Sequence, residues 1–403
     1  MSFLNNDDRS EPTCDMPSSF VADASEPFIG DLSFHQFNMA VSGGCAAFAT
    51  VSIFILMARH ATHFSKPNEQ SKILKICAII PLEAIFSWIG IAAPNSHIYV
   101  EGFVDFFQAI GLSSFFLLLC EFVSPSSEFR DVFFAALEIP KSRRKKDGKK
   151  VDGLSWYRKR WVAVFQYPFV SLVIAVVTCI TQAIGRYCLE SSNVHFAHIW
   201  CTIIINISIF VAVISCVKFY TIMKKDLEHH KPLAKFLAFK LIIFLTFVQR
   251  IIFEILRSAN ALKETSKLTY ADVNWGIETM LVCIEMVPFS LFFHYAYDVG
   301  AYNLSRARPL PLSEMGGRIS PNEAEAQAGH EQQERERLRY GLPGQYEGQY
   351  YGGRLGLKAW ATLPNLKDIL LAMNFAFTMR SERRRMKRDP TVTETAPPMY
   401  INY

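Results

Sequence analysis

The stretch Trp275–Tyr297, WGIETMLVCIEMVPFSLFFHYAY, decides how the rest of the chain is read. It matches the roughly 20 apolar residues a helix needs to cross about 30 Å of hydrocarbon. Yet it carries Glu285, Pro288 and His294 inside it. Six similar runs precede it: Gln36–Leu56, Cys77–Ala93, Gly102–Val123, Val162–Gly185, Ile199–Tyr220 and Phe236–Leu256. Lipid offers the backbone no hydrogen-bond partners, and no run alternates as a barrel strand would, so each reads as a helix. The sequence predicts an all-α, polytopic bundle of seven transmembrane helices.

Working outward, the loops give the orientation. One side carries 20 Lys and Arg: Arg59, Lys66, Lys72 and Lys75; eleven from Arg130 to Arg160; and Lys218, Lys224, Lys225, Lys231 and Lys235. The other side carries 5: Arg9, Arg186, Arg257, Lys263 and Lys267. The positive-inside rule then puts the amino terminus outside or in a lumen and the carboxyl terminus in the cytosol. The Lys141–Lys150 cluster reads as a topogenic loop touching anionic lipid rather than as a nucleic-acid patch. A net charge of +5 over 403 residues also gives no reason to expect nucleic acid as a partner.

The composition divides the chain into four. Residues 1–35 form an acidic non-cytosolic tail, with seven acids against Arg9 and no signal-peptide core. Residues 36–300 form the membrane domain. Residues 301–353 are a Pro-, Gly-, Glu- and Arg-rich cytosolic linker expected to be disordered. Residues 354–403 hold a basic amphipathic helix and tail. There Leu366, Ile369, Leu370, Met373 and Phe377 recur at helical spacing ahead of Arg380–Arg388, which suits a helix on the cytosolic leaflet or against the protein's own cytosolic face. Trp360-Ala-Thr-Leu363 has the aromatic-x-x-aliphatic form read by ubiquitin-like autophagy proteins, which makes Trp360 and Leu363 partner-binding candidates.

No cofactor motif and no metal-ligand spacing occurs, and His60 with His63 alone would not make a hydrolase metal site, so no enzyme is expected. Most of the nine cysteines lie in or beside apolar runs. Only Cys14 and Cys188 fall in non-cytosolic segments, where pairing stays open.

An ionisable group at mid-bilayer costs at least about 2.5–3.5 kcal/mol, so it is expected to face the bundle interior with a partner. On that ground Glu285, Arg250, Glu83, Gln249, Lys240, Glu254, Asp105, Gln108 and His294 are the candidates for a substrate or ion pathway. By rise per residue Arg250 and Glu285 differ in depth by about 5 Å. Pro288 frees the carbonyl of Ile284 and Pro81 that of Cys77, as at the irregular helices of transporters. Gln166, Gln182 and Asn206 read as interhelical hydrogen-bond donors and acceptors.

Several of these residues fall in a known pattern. Pro232-x-x-Lys235-Phe236-Leu237-x-x-Lys240-x-x-x-Phe244-x-x-Phe247-x-Gln249 opens the sixth run, and Cys283-Ile-Glu285-Met286 with His294 fills the seventh. With Gln166-Tyr167 and Asn206-Ile207-Ser208, the chain resembles the organic solute transporter subunit alpha / transmembrane protein 184 family over about residues 36–300. Gly353–Lys358 before Trp360 resembles the tail of fungal members. The resemblance implies a seven-helix membrane carrier, or a lipid or sterol handler, with a sterol-like or amphipathic anionic solute, and a vacuolar membrane as its location. The alternative it implies is a vacuolar scaffold or tether acting through the cytosolic tail on a ubiquitin-like autophagy protein. A homo-oligomer stays open. A receptor is a weaker reading, because the third run ends Glu121-Phe122-Val123 and the seventh lacks Asn-Pro-x-x-Tyr. Two departures stand out: Phe107-Gln108-Ala109 replaces the family's Tyr-Glu-Ala, and Glu83 stands where Tyr is common.

Overall fold

A computed structural model describes Cys14, Phe20 and residues 24–125, 127–139, 151–189, 193–227, 245, 248–249, 251–253, 255–256, 259, 261–303 and 350–388. Lys240, Arg250, Glu254, the whole Lys141–Lys150 cluster and most of the sixth apolar run lie outside the described residues. Among the described residues the chain is mostly helical. Six helical stretches are long and apolar enough to cross a membrane: 34–62, 67–92, 94–123, 153–183, 197–227 and 272–302.

The first is α1 (Phe34–Thr62), begun by Ser33, whose side chain accepts from the Gln36 amide. The second is broken into α2 (Pro67–Cys77) and α3 (Ile79–Ala92). Pro81 supplies no amide for the Cys77 carbonyl, so the helix turns at Ala78, where the sequence places the defect. After a short turn at Pro94–Ser96 come α4 (His97–Val123) and α5 (Ser127–Ala135). Two-residue strands, β1 (Glu138–Ile139) and β2 (Val151–Asp152), pair antiparallel. Asp152 then caps α6 (Gly153–Ala183) by accepting from the amides of Leu154 and Ser155. The helix α7 (Ala197–Leu227) follows, and a π-turn at Asp272–Gly276 leads into α8 (Ile277–Ala296). Pro168 and Pro288 sit inside α6 and α8 without ending them. Beyond the linker are α9 (Leu357–Ala361) and α10 (Lys367–Arg388).

The helices outrun the apolar stretches that announced them: α2 starts at Pro67 rather than Cys77, α4 at His97 rather than Gly102, α6 at Gly153 rather than Val162. In the extra turns polar side chains find tertiary partners. Helix α4 packs against α2, α3 and α6; α6 packs on α7; α1 and α3 both pack on α8. A Cβ on Gly102 would lie 3.2 Å from the Ala175 Cα, so α4 and α6 approach closely at that point. Helices α1 and α7 turn Phe48, Val51, Ile55, Ile203, Ile207 and Phe210 outward, as a lipid-facing surface does.

The two ends of the bundle differ. At the end bearing the α3–α4 and α6–α7 turns, Cys14 and Cys188 form a disulfide, so the open pairing resolves to a bond. At the opposite end, which carries the tail, a dense core fills the space. Phe116 packs edge-on against Trp161 and Phe219, and Phe134 stacks on Tyr157. Beside it, Glu121 takes Lys72 at 3.6 Å and Arg130 at 3.2 Å, all three nearly inaccessible. The charge count treats Lys72 and Arg130 as loop cations; the fold makes them an internal ion-pair cluster.

The tail packs onto this end. Tyr350 donates to the Ala61 carbonyl at 3.0 Å, and the Tyr351 amide to Phe64 at 2.8 Å. Gly356, at φ +76°, lies so close to Ala61 that a Cβ would sit 2.7 Å from its methyl. Lys75 and Asp368 pair at 2.6 Å, and the Trp161 indole donates to the Ala372 carbonyl at 2.9 Å. The buried face of α10 is Ile369, Ala372, Ala376 and Met379, whereas Leu370 and Phe377 of the expected stripe are exposed. The apolar stripe read from the sequence is therefore rotated, because small alanines rather than large side chains allow the close approach to α6.

Candidate functional site

Polar residues gather at the disulfide end, inside the bundle. Helix α4 carries Glu101, Asp105 and Gln108 at spacings of four and three, which puts them on one face. From the start of α4 at His97, they lie about 6, 12 and 16 Å along the axis. The last is near the middle of α4. Gln108 donates from Nε2 to Glu83 Oε1 at 3.0 Å, joining α4 to α3, and both are buried.

These residues line a cavity of about 1020 Å³. Its walls are α3, α4, α6, α7 and the π-turn with the top of α8, together with Ile251 and Ile255 of the sixth run. Thr178, Asn206, Glu278 and Thr279 add polar groups, and Val104, Ile174, Ile205 and Val282 add apolar ones. The rim is aromatic. His97 and Trp275 stack with centroids 4.8 Å apart, and Phe20 meets Trp275 edge-on at 4.8 Å while its amide donates to Asn95 at 2.9 Å. The π-turn leaves a backbone carbonyl, Gly276 O, that is taken by the Asn38 amide at 2.8 Å. Tyr187, at the α6–α7 turn, is buried at the rim. Its burial first, and then the nearby carboxylate of Glu101, push its phenol well above the ordinary tyrosine range.

The sequence-predicted residues separate into groups. Glu83, Asp105 and Gln108 share the cavity. Glu285 accepts from the Gln249 amide, which links α8 to the sixth run. The other oxygens of both side chains, Glu285 Oε2 and Gln249 Oε1, have no hydrogen-bond partner among the described residues. Neither residue is among those lining the cavity, but Glu285 follows the lining residue Val282 by three, so the pair lies about one turn beneath it. Arg250, Lys240 and Glu254 lie outside the described residues, so the expected Arg250–Glu285 pairing does too. His294 bonds through Nε2 to Ser52 Oγ at 3.2 Å and Ser52 O at 3.0 Å, tying α8 to α1. Gln166 accepts from the Ser208 hydroxyl and donates to the Ser208 carbonyl, both at 2.9 Å. Trp360 stacks on Phe54 with centroids 5.8 Å apart, and Leu363 packs on the same core.

Sequence reasoning missed Glu101, Glu278 and His97, which sit at helix ends and read as interfacial. The four-residue step from Glu101 to Asp105 was the available signal. Among the described residues, no group of three His, Cys, Asp or Glu could hold a metal ion.

The family model described as organic solute transporter Ostalpha matches residues 38–302, the whole span that builds the bundle and the cavity. A transmembrane protein 184 homolog of Dictyostelium discoideum is 24% identical over 287 residues, covering 68% of this chain and 55% of that protein. The chain thus matches about half the length of that relative. No solved structure matches it. A family match that spans residues 38–302 makes this chain an integral membrane protein of the organic solute transporter alpha / transmembrane protein 184 family.

Proposed function

We propose that the protein is a carrier of an organic solute, drawn in a state open at the disulfide end and closed at the tail end. One observation carries this reading: a cavity of about 1020 Å³ descends to mid-bundle at Glu83 and Gln108 and gives way below to the packed aromatic layer of Phe116, Trp161 and Phe219. A carrier needs such one-sided access. The volume also suits a drug-sized solute, for which sites of about 300–1000 Å³ are usual. Glu285 with Gln249, one turn lower, is the next polar step, and the Pro288 defect lies directly beyond it. The disulfide end faces outside or the lumen of a vacuole-like compartment. The Lys and Arg asymmetry supports that side, as does a disulfide, which persists in oxidising surroundings.

The test is flux into vesicles reconstituted with the full chain, using a labelled sterol, an organic anion and an organic cation. The expected result is uptake of at least one class, reduced at least tenfold in Glu83→Gln and in Glu285→Gln with insertion unchanged. No protein-dependent flux of any class would refute the reading.

The scaffold reading has its own support in the ordered tail, where Leu355, Leu357 and Leu370 stand exposed on segments fixed to α1 and α6. It predicts that deleting residues 350–403 abolishes the cellular function while Glu83→Gln leaves it intact. The Trp360 indole is already engaged by Phe54, so a partner reading Trp360 and Leu363 would have to lift that contact first.

A further inference from the structure

The helix α10 shows three faces. At about 100° per residue, Asp368, Ile369, Ala372, Ala376 and Met379 fall in one arc, and all are buried. Leu370, Met373 and Phe377 fall in a second arc about a third of a turn round, where Leu370 and Phe377 are exposed and Met373 is half-buried. Lys367 and Asn374, also exposed, mark a polar arc about a quarter-turn further on. The helix cannot roll to hide its second arc, because Lys75 holds Asp368 at 2.6 Å and the Trp161 indole holds the Ala372 carbonyl at 2.9 Å. The stripe read from the sequence is thus split: Ile369 turns inward, while Leu370 and Phe377 turn outward.

Where the outward arc sits decides what covers it. The Phe377 ring meets Phe169 of α6 edge-on, with centroids 5.1 Å apart. Phe169 is itself exposed, as are Leu172, Val173 and Val176 further along α6. Phe169 follows Val162, where the apolar run begins, by seven positions, a rise of about 10 Å. The outward arc therefore continues the lipid-facing surface of α6, with the polar arc beside it, as in a helix that lies in a membrane interface. The same helix runs on to Arg388. Residues 380–388 bring six cations, from Arg380 to Arg388, against the single acid Glu382. A basic cluster of that size on an amphipathic helix draws anionic lipid.

We propose that α10 is an interfacial helix wedged between the bundle and the membrane. Its outward apolar arc lies in the leaflet at the tail end, and its basic end recruits anionic phospholipid there. The contact with Phe169 favours lipid over a protein partner, since a partner covering Phe377 would have to enter the membrane beside α6. This role is independent of whether the cavity carries a solute.

The experiment uses the full chain in nanodiscs of phosphatidylcholine and phosphatidylserine in equal parts. A dansyl amino acid replaces Leu370, Phe377 or Asn374 in separate variants, so that misfolding of one outward-arc variant leaves the other readable. One of the two lipids carries a nitroxide high on its acyl chain. The expected result is quenching at positions 370 and 377 about threefold stronger than at 374, as for a helix whose apolar face lies in the leaflet. Nitroxide on the serine lipid should quench about twofold more than on the choline lipid, and the triple variant Arg383→Gln, Arg384→Gln, Arg385→Gln should lose that preference. Quenching at 370 and 377 by aqueous iodide instead of by lipid would leave the arc to water or to a protein partner and overturn the assignment. Equal lipid quenching at all three positions also overturns it, because the helix would then not be held by α6. Equal quenching by the two lipids overturns the recruitment of anionic phospholipid and leaves the apolar contact standing.

Discussion

Glu83, at mid-bundle, and Glu121, toward the tail end, are both acids buried in apolar helices, and their surroundings differ completely. Glu121 receives Lys72 and Arg130 and sits in a packed aromatic core. Glu83 receives an amide from Gln108 and borders a cavity of about 1020 Å³. Removing a buried acid enclosed by two cations leaves those cations stranded in low dielectric. An acid beside open volume is available to a visitor. Burial alone therefore does not mark a functional carboxylate. The neighbouring volume does.

The comparison breaks most sharply at Glu121. Replacing it with Ala should destabilise the protein by about 3–5 kcal/mol, the usual loss when one partner of a buried ion pair is removed. Thermal denaturation in detergent measures this, and a shift too small to detect would mean the cluster is not internal. Removing the disulfide with Cys188→Ser should take away about 2–4 kcal/mol through release of a long loop, with Cys14 and Cys188 174 residues apart. The mobility difference between reduced and oxidised wild type on a gel should vanish in the variant. Glu83→Gln should leave the stability within about 1 kcal/mol of wild type, since an amide can still bond to Gln108. Flux falls at least tenfold in the same variant, and that contrast with Glu121 is the sharpest form of the comparison. The smallest effect belongs to Ser208→Ala. It removes a hydroxyl bond between α6 and α7 worth about 0.6 kcal/mol, the average for such bonds in membranes, and should leave flux unaltered.

The spans were legible because crossing a membrane is a local requirement, met by consecutive apolar residues such as Ile277–Ala296. The break at Ala78 was legible for the same reason, since a missing amide at Pro81 acts on its own helix. Of the site, Glu83, Asp105 and Gln108 could be named in advance from the expense of polar groups in lipid. Their union could not. That Gln108 reaches Glu83 depends on how α3 and α4 face each other. That Glu285 meets Gln249 depends on how α8 faces the sixth run. The tail shows the same limit. Its helix was readable, but the stripe that packs runs through Ala372 and Ala376, and hydrophobic size alone pointed to Leu370 and Phe377 instead.

Taken by itself, the order of residues determined that this is a helical membrane protein, roughly where its spans run, and which polar side chains needed a reason to be there. Tertiary structure decided which of them line an empty space, which are locked in ion pairs, and that Cys14 closes onto Cys188. The reason is one of range. Hydropathy and backbone hydrogen bonding are satisfied within a single helix, whereas charge pairing and cavities exist only between helices that the chain brings together from far apart.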